Sequence, residues 1–352
     1  MSQSLTVTDF LHAPGVLLDV RSPAEYAQAH IPGAISFPLF TNEERAQVGI
    51  CYKQQGRDAA VELGFAITGP KLAGLVATAK ELAPDRQVRV HCWRGGMRSE
   101  SVVWLLNMAG MQVSVLAGGY KAFRRWVRST FETPHSIIIL GGMTGTGKTD
   151  MLTALAAHGE QVLDLEHLAN HRGSSYGALG LPPQPSNEHF ENRVALEWAT
   201  FDSSRPVWIE AESKRIGLCR VPDEIFAQME RSPVLEITRS RGERIALLET
   251  VYGEADPIAL IAATERLRKR LGGLRTQQAV DWIRQGNLAP AIEITLDYYD
   301  KTYTYDLKRR QVPIYPVDVA GLTPRDGAGL LLDRASKLVA SSAFEPLQPV
   351  SR

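Results

Sequence analysis

Short apolar runs alternate with segments of helical periodicity through the first 130 residues. The runs are typical of buried strands, and the segments between them place apolar residues on one helical face. The strands are predicted at 16–20, 34–37, 87–92 and 113–119, and the helices at 71–82, 99–110 and 120–132. Strictly alternating strands and helices favour a mostly parallel sheet covered by helices.

The pattern restarts after Pro134. An apolar strand at 136–142 leads through a glycine-rich turn into a helix over 150–159, and further strands are predicted at 161–166, 206–212 and 233–239. From about Ser240 the chain is mostly helical and rich in arginine, and the tail beyond Ser342 is expected to be loose. The sequence therefore predicts two α/β domains, 1–133 and 134–352.

Composition narrows the class of protein. The 352 residues carry 39 basic and 39 acidic side chains, which excludes a uniformly basic nucleic-acid coat and an acidic disordered tail. Three widely spaced cysteines do not suit a disulfide framework or a zinc cluster, so a reducing compartment is expected. The N-terminus lacks the features of a signal peptide, and no apolar run reaches the ~20 residues of a membrane span. We therefore expect a cytoplasmic protein without a membrane partner.

Residues 142–149 match the phosphate-loop pattern G-x-x-x-x-G-K-[ST] between a strand and a helix. Such a loop turns backbone N–H groups toward phosphate oxygens at the N-terminus of a helix. The predicted phosphate-binding residues are Gly142, Thr144, Gly145, Thr146, Gly147, Lys148 and Thr149. Thr149 is also the expected Mg²⁺ ligand, with Glu210 and Glu212 at the end of a later strand as acidic partners. The motif fits a nucleotide, a diphosphate ester or an RNA backbone equally well.

A second predicted anion-binding loop follows the strand that ends at Cys92. A thiol at the start of a helix, close to Arg94 and Arg98, should have a lowered pKa and act as a nucleophile. Cys51 and Cys219 have no such surroundings and are expected to be inert.

Residues 16–128 resemble the rhodanese domain, whose active-site cysteine carries a transferable sulfur atom. The resemblance rests on LDVRSPAEY (18–26), HIPGA (30–34), the Cys92 loop and LAGGYKAF (116–123). It implies that Asp19 and Arg21 form a structural pair. The loop departs from common rhodaneses because Arg98 lies six residues after Cys92, as in cysteine phosphatases of this fold. The loop alone therefore leaves a chalcogen carrier and a phosphate-ester hydrolase open.

A rhodanese-like domain joined to a phosphate-loop domain resembles the bacterial tRNA 2-selenouridine synthase family. NEERAQVG (42–49), CWRGGMRSES (92–101), HLANHRGSSYG (167–177) and WIEAES (208–213) extend the resemblance over nearly the whole chain. It implies a P-loop NTPase-like second domain and a reaction at the wobble 2-thiouridine of tRNAs for Lys, Glu and Gln. In the reaction that the resemblance implies, geranyl diphosphate first alkylates the sulfur, and selenium from selenophosphate then replaces the geranylated sulfur.

The resemblance also implies roles for particular residues and partners. Cys92 would accept the selenium as a selenylsulfide, while Arg94 and Arg98 hold the selenophosphate group. The phosphate loop would hold the diphosphate of the geranyl donor. The further partners are the anticodon loop of tRNA and the selenophosphate donor or the synthase that makes it. A monomer is favoured.

Two further segments are predicted to bind ligand. Arg172, Ser174 and Ser175 follow the second strand of the phosphate-loop domain, where ligands bind in open α/β sheets. The basic residues predicted to contact tRNA are Arg266, Arg268, Lys269, Arg270 and Arg275, with Arg239, Arg241, Arg244 and Arg284 nearby. The tyrosines predicted to stack on unpaired bases are Tyr298, Tyr299, Tyr303 and Tyr305. The alternative function is a rhodanese-fold cysteine phosphatase or sulfurtransferase fused to a nucleotide-binding module; a third is a regulatory protein that only binds RNA and nucleotide.

Overall fold

The computed structural model describes residues 3–340, apart from the side chains at 306, 308, 339 and 340. The tail predicted to be loose beyond Ser342 lies outside the described residues. The chain divides into two compact units, Met1–Thr130 and Phe131–Arg352, and each is described by itself.

The first unit is built on five strands and seven helices of the described chain. The strands are β1 (Gln3–Leu5), β2 (Val16–Asp19), β3 (Ile35–Ser36), β4 (Gln87–His91) and β5 (Gln112–Leu116). The helices are α1 (Val7–His12), α2 (Pro23–Gln28), α3 (Asn42–Gln55), α4 (Arg57–Thr68), α5 (Leu72–Leu82), α6 (Met97–Met108) and α7 (Gly119–Thr130). All strand pairs are parallel, in the order β1-β5-β4-β2-β3. The predicted parallel sheet is confirmed.

The predicted strand at 113–119 ends at Leu116 because Gly118 and Gly119 have φ of +71° and +59°, outside the β region. Helices α3 and α4 were not predicted. Their side chains are mostly exposed, with Cys51 as the only buried residue of α3, so the apolar periodicity is weak. The signal that marks α3 is a capping box formed by Thr41 and Glu44.

A buried ion pair fixes the centre of this unit. Arg21 is 1% exposed and donates to Asp19 through Nε (2.9 Å) and Nη2 (2.6 Å), and Nη2 also donates to the Ala29 carbonyl at 2.7 Å. The guanidinium lies 3.9 Å from the centroid of the Tyr120 ring. Burial lowers the pKa of the adjacent His91 to about 4, so this imidazole is neutral beside the pair.

One helical stretch, Arg57–Leu82, is long and apolar enough to cross a membrane by length and composition alone. Its best window has a mean hydropathy of 1.3, and only 11% of that window is buried. The short 3₁₀ turn Gly69–Lys71 divides it into α4 and α5. A cytoplasmic location stays a prediction.

The second unit contains another all-parallel five-stranded sheet, in the order β12-β11-β6-β8-β7. Its strands are β6 (Ile137–Gly142), β7 (Gln161–Leu163), β8 (Val207–Glu210), β11 (Val234–Thr238) and β12 (Ile314–Asp318), and β9 (Arg215–Ile216) pairs with β10 (Cys219–Arg220). The helices are α8 (Lys148–Ala157), α9 (Leu165–Ala169), α10 (Asn187–Trp198), α11 (Asp223–Glu230), α12 (Arg241–Tyr252), α13 (Pro257–Glu265), α14 (Arg268–Leu271), α15 (Gly273–Arg284), α16 (Leu288–Arg309) and α17 (Pro324–Ala340). The predicted α/β organisation with a helical C-terminal part is confirmed.

Two predicted strands in this unit are too long. The strand at 161–166 stops at Leu163 because the Asp164 side chain accepts from the His167 N–H at 2.8 Å and caps α9. The strand at 206–212 ends at Glu210. Both corrections place acidic residues in loops at the carboxyl edge of the sheet.

Replacing Asp19 by Asn should destabilise the first unit by roughly 3–5 kcal/mol, because it leaves the Arg21 charge buried without its counter-ion. Urea unfolding measures the loss. Lys71→Ala, which removes the more exposed Lys71–Glu44 pair of the same unit, should cost at most about 1 kcal/mol. Equal losses in the two variants would contradict a structural role for the buried pair.

Candidate functional site

Cys92 lies directly after β4, and residues 93–96 connect it to α6. The backbone of the loop is held by the start of α7: the Tyr120 N–H donates to the Cys92 carbonyl at 2.8 Å, and the Lys121 N–H donates to the Trp93 carbonyl at 2.9 Å. A Cβ on Gly119 would lie 2.4 Å from the Cys92 carbonyl oxygen. Only glycine therefore permits this packing of the two loops.

The Cys92 side chain is 3% exposed, and its Sγ lies 3.1 Å from Ser99 Oγ in the first turn of α6. Ser99 donates its hydroxyl hydrogen to the Gly96 carbonyl at 2.9 Å. With its hydrogen donated there, Ser99 Oγ can accept a hydrogen bond from the Cys92 thiol. Ser99 belongs to the loop quoted in the sequence, but its contact with the thiol depends on the turn and was not predicted.

The two arginines of the loop differ. Arg98 Nη1 donates to Glu25 Oε2 at 2.8 Å, whereas Arg94 is exposed and forms no salt bridge in the described chain. Burial raises the pKa of Glu25, but the hydrogen bond and charge of Arg98 lower it further, so the net pKa falls below its usual value. Anion binding by both arginines stays a prediction. An anion at Arg98 would have to share the guanidinium with Glu25 or displace Glu25 from it.

In the second unit the phosphate-loop motif connects β6 to α8, as predicted. Gly145 and Gly147 have φ of +80° and +84°, so the turn depends on glycine at both positions. Lys148 Nζ donates to the Gly142 carbonyl at 3.1 Å, and the Thr146 hydroxyl donates to the Met143 carbonyl at 2.8 Å. Thr149 is exposed in the first turn of α8.

Two arginines brace the phosphate loop. Arg239 Nε donates to the Thr146 carbonyl at 3.1 Å, and Arg244 Nε donates to the Thr144 carbonyl at 2.8 Å. Arg244 is 4% exposed and also pairs with Asp300. The suggestion that Arg244 belongs to an RNA-binding surface is therefore wrong, because its guanidinium is used inside the protein.

Three carboxylates meet beside Lys148. Glu210, 2% exposed at the end of β8, places Oε1 3.5 Å from Lys148 Nζ, and Glu210, Glu212 and Glu166 each offer an oxygen within 4.8 Å of the others. Glu166, at the start of α9, was not predicted. The signal was available: an acidic residue follows the second strand of the phosphate-loop domain, and parallel strands end at one edge.

Burial and the neighbouring charges shift the pKa values of the groups in this cluster. Burial, followed by the negative charges of Glu210 and Glu212, raises the pKa of Glu166 to about 11. Burial likewise raises the pKa of Glu210 to about 7, against the lowering effect of Lys148. Burial lowers the pKa of Lys148, but the three carboxylates raise it further, and the net shift is upward. Glu210 Oε2 is buried without a hydrogen-bond partner. Three oxygen donors with an unsatisfied atom can hold a hard divalent cation.

The loop containing Arg172, Ser174 and Ser175 packs against these carboxylates. A Cβ at Gly173 would lie 2.8 Å from both Glu166 and Glu212 oxygens. The polar groups of the loop are partly used internally: Arg172 donates to the Leu179 carbonyl at 2.8 Å and Ser175 Oγ to the Ala263 carbonyl at 3.0 Å. The Ser174 hydroxyl accepts from the Tyr176 N–H at 3.2 Å.

The predicted basic residues separate into two groups. Arg268 pairs with Glu265 at 2.7 Å and Arg275 pairs with Asp297, so their charges are compensated. Arg266, Lys269 and Arg270 line a pocket of about 620 Å³ together with Gly173, Ser174, Ser175, Ser213, Leu267, Tyr298, Tyr299 and Thr302. The structure thus brings the serine loop, three of the basic residues and two of the tyrosines together.

The other two tyrosines lie elsewhere. The Tyr303 hydroxyl is buried against β6, 3.1 Å from the position of a Cβ on Gly141, so its suggested stacking on RNA bases is wrong. Tyr305 is 63% exposed and does not line the pocket.

Comparison with known proteins gives the family. A model of the rhodanese-like domain matches residues 6–125, and a model described as the tRNA 2-selenouridine synthase AAA domain matches residues 135–256. A tRNA 2-selenouridine synthase of Marinobacter nauticus is 36% identical over 331 residues, which cover 84% of this chain and 89% of the relative. The protein of the same name from Bordetella petrii is 37% identical over 338 residues, with 84% and 87% covered. Because relatives of this identity match along nearly their whole length, the chain belongs to the tRNA 2-selenouridine synthase family.

Proposed function

We propose that this protein converts 2-thiouridine at the wobble position of tRNAs for Lys, Glu and Gln into 2-selenouridine in two steps, with Cys92 as the thiol that releases selenium from selenophosphate. A tRNA-modifying role follows from the family. The two-step reaction is supported by one observation: the same chain contains a cysteine loop at the start of a helix and a phosphate loop beside buried carboxylates.

The first step is assigned to the second unit. The thiocarbonyl sulfur attacks C1 of geranyl diphosphate, the C–O bond breaks, and diphosphate leaves. Lys148 and the N–H groups of the phosphate loop would bind the departing diphosphate, whose negative charge increases as the bond breaks. The pocket lined by Arg266, Lys269 and Arg270 would hold the RNA, since Arg and Lys bind phosphate independently of sequence.

Mg²⁺ is proposed at Glu166, Glu210 and Glu212, facing Lys148, with Thr149 as the predicted additional ligand. The oxygen donors and the unsatisfied Glu210 Oε2 fit a hard cation. When bound, the cation supplies positive charge to the diphosphate leaving group. Glu166 and Glu210 are 8% and 2% exposed, so the fold fixes the positions of their oxygens, and a bound cation would favour the ionised form of Glu166.

The second step is assigned to the first unit. A thioether sulfur leaves more easily than a thiocarbonyl sulfur, so alkylation prepares C2 of the uridine for substitution. The Cys92 thiolate attacks the phosphorus of selenophosphate, the P–Se bond breaks and hydrogen selenide is released, and water later hydrolyses the phosphocysteine to phosphate and free thiol. The selenide forms the new C2–Se bond, and geranylthiol leaves. Arg94 and Arg98 would bind the phosphate group, and Cys92, with Ser99 at 3.1 Å, lies where the selenium is released.

The central experiment incubates the protein with 2-thiouridine tRNA, geranyl diphosphate and selenophosphate, and analyses the wobble nucleosides by mass spectrometry. S-geranyl-2-thiouridine should appear first and 2-selenouridine afterwards. Absence of both, together with Cys92-dependent hydrolysis of aryl phosphates, would favour the cysteine phosphatase instead.

Cys92→Ser should stop selenation, with a loss on the order of 10³-fold or more, because the hydroxyl is a far weaker nucleophile at neutral pH. S-geranyl-2-thiouridine should accumulate in the tRNA, and tRNA binding should stay unchanged. Cys219→Ser is the matched control, since burial raises the pKa of that thiol to about 11 and its Sγ contacts Gln184 and the Pro185 carbonyl in the second unit. Loss of geranylation in Cys92→Ser would assign Cys92 to the first step.

Lys148→Ala should slow geranylation by roughly 10²-fold, because the diphosphate loses its principal cationic contact. Selenation of tRNA that already carries S-geranyl-2-thiouridine should proceed at the wild-type rate. Lys214→Ala, which removes an exposed lysine of the same unit, serves as control. A geranylation rate equal to that of wild type would show that the loop binds another phosphate compound.

Glu166→Gln tests the carboxylate cluster through pH. Because the pKa of Glu166 is raised in the folded chain, ionisation costs stability as the pH rises above the ordinary carboxyl value. Without divalent cations, the variant should therefore be more stable than wild type, by about 1.4 kcal/mol for each pH unit above the ordinary carboxyl value, with little difference at pH 5 and the largest difference at high pH. Mg²⁺ should raise the Tm of wild type more than that of Glu166→Gln. A stability difference independent of pH, with equal Mg²⁺ effects, would rule out this assignment.

A further inference from the structure

A groove of about 820 Å³ opens beside Cys92 in the first unit. Helices α3 and α4 form its outer wall, and the loop from Cys92 to Arg98 forms the inner wall. The thiol therefore lies at one side of a space far larger than a selenophosphate group needs.

The outer wall of the groove is apolar although it faces solvent. Val48 and Tyr52 on α3 and Val61 and Phe65 on α4 line it, and Phe65 and Tyr52 are 64% and 59% exposed. Helix α4 belongs to the apolar stretch Arg57–Leu82, of which few residues are fully buried. Clustered exposed apolar side chains mark a binding surface.

The rim of the same groove is cationic. Arg45, Lys53, Arg57 and Arg94 line it, and none of the four forms a salt bridge within the part of the chain that the structure describes. Arg57 Nη2 lies 4.0 Å from Met97 Sδ. Arg45 is close enough to Glu25 for its charge to lower the pKa of that carboxyl, whereas Lys53, Arg57 and Arg94 add positive charge to the rim. A groove that joins an apolar wall to a cationic rim fits an amphiphile with an anionic part.

Two helical glycines keep the groove open. Gly49 on α3 and Gly64 on α4 line it, although glycine within a helix is less stable than alanine. A Cβ at Gly64 would lie 3.7 Å from Phe40 Cζ, which is ordinary contact. The backbone therefore admits a side chain at Gly64, and a large one would occupy groove space.

We infer that this groove binds the S-geranyl chain of the intermediate, with the chain along Val48, Val61 and Phe65 and the RNA phosphates at the cationic rim. This inference rests on the proposed function. A prenyl chain attached to RNA suits this site, because the apolar wall, the positive charge and the thiol adjoin one another. C2 of the alkylated uridine then faces Cys92, and recognition of the chain selects alkylated over unalkylated tRNA for selenation.

The experiment uses the full chain and anticodon stem-loop RNAs that carry S-methyl-, S-prenyl- or S-geranyl-2-thiouridine at the wobble position. Dissociation constants at fixed salt and single-turnover formation of 2-selenouridine from selenophosphate are measured. For wild type, affinity should increase with chain length, by up to about fourfold for each buried methylene. These substrates bypass geranylation, so the phosphate loop does not enter the result.

Gly64→Leu fills the groove and should abolish the preference for S-geranyl over S-methyl RNA. Gly74→Leu is the matched control: Gly74 lies on α5, a Cβ there meets nothing within 4 Å, and it does not line the groove. Phe65→Ser tests the same wall by removing an exposed side chain, with Ile50→Ser, 54% exposed on α3 and outside the groove, as its control.

The inference is overturned if wild type shows no preference for longer S-alkyl chains. It is also overturned if both Gly64→Leu and Phe65→Ser keep the wild-type preference. Binding to phosphatidylglycerol vesicles that Phe65→Ser abolishes, without any preference among the RNAs, also overturns it and identifies the wall as a membrane contact. Chain-length-dependent binding without any selenium incorporation supports the groove and contradicts the proposed reaction instead.

Discussion

Parallel strand pairing is the constraint on which both units depend. Because all strands of a sheet run the same way, their carboxyl ends lie at one edge, and every loop that follows a strand is brought there. In the first unit this places Cys92 after β4 next to the turn after β5, which holds its backbone. In the second unit it brings the phosphate loop after β6, Glu166 after β7 and Glu210 at the end of β8 into one cluster.

Buried charges are fully paired at the centre of the first unit and only partly paired beside the phosphate loop of the second. In the first, Asp19 and Arg21 satisfy each other, with further help from the Ala29 carbonyl and the Tyr120 ring, so the pair is closed and structural. In the second, one ammonium group faces three carboxylates, and an oxygen of Glu210 has no partner. An incompletely satisfied buried cluster costs stability, so its persistence points to ligand binding.

The sequence predicted functional residues best where all the residues of a site are contiguous in the chain. The phosphate loop and the Cys92 loop are contiguous motifs with their own strand and helix, and the structure places both as expected. Glu166 was missed because its partners Glu210 and Glu212 are more than 40 positions away and only the sheet order brings them together. Arg244 was misjudged because a run of arginines does not reveal which of them turn inward. Helices α3 and α4 were missed because a helix was expected to show one buried apolar face, and few side chains of either helix are fully buried.

The contact between Gly119 and the Cys92 loop has a genetic consequence. Gly119 carries no functional group, yet any side chain there would collide with the Cys92 carbonyl oxygen and the N–H groups of Arg94 and Gly95. A random-mutagenesis screen for loss of function should therefore find position 119 as intolerant as position 92. The activity of this unit therefore depends on the lack of a Cβ at position 119 as strictly as on the thiol at position 92.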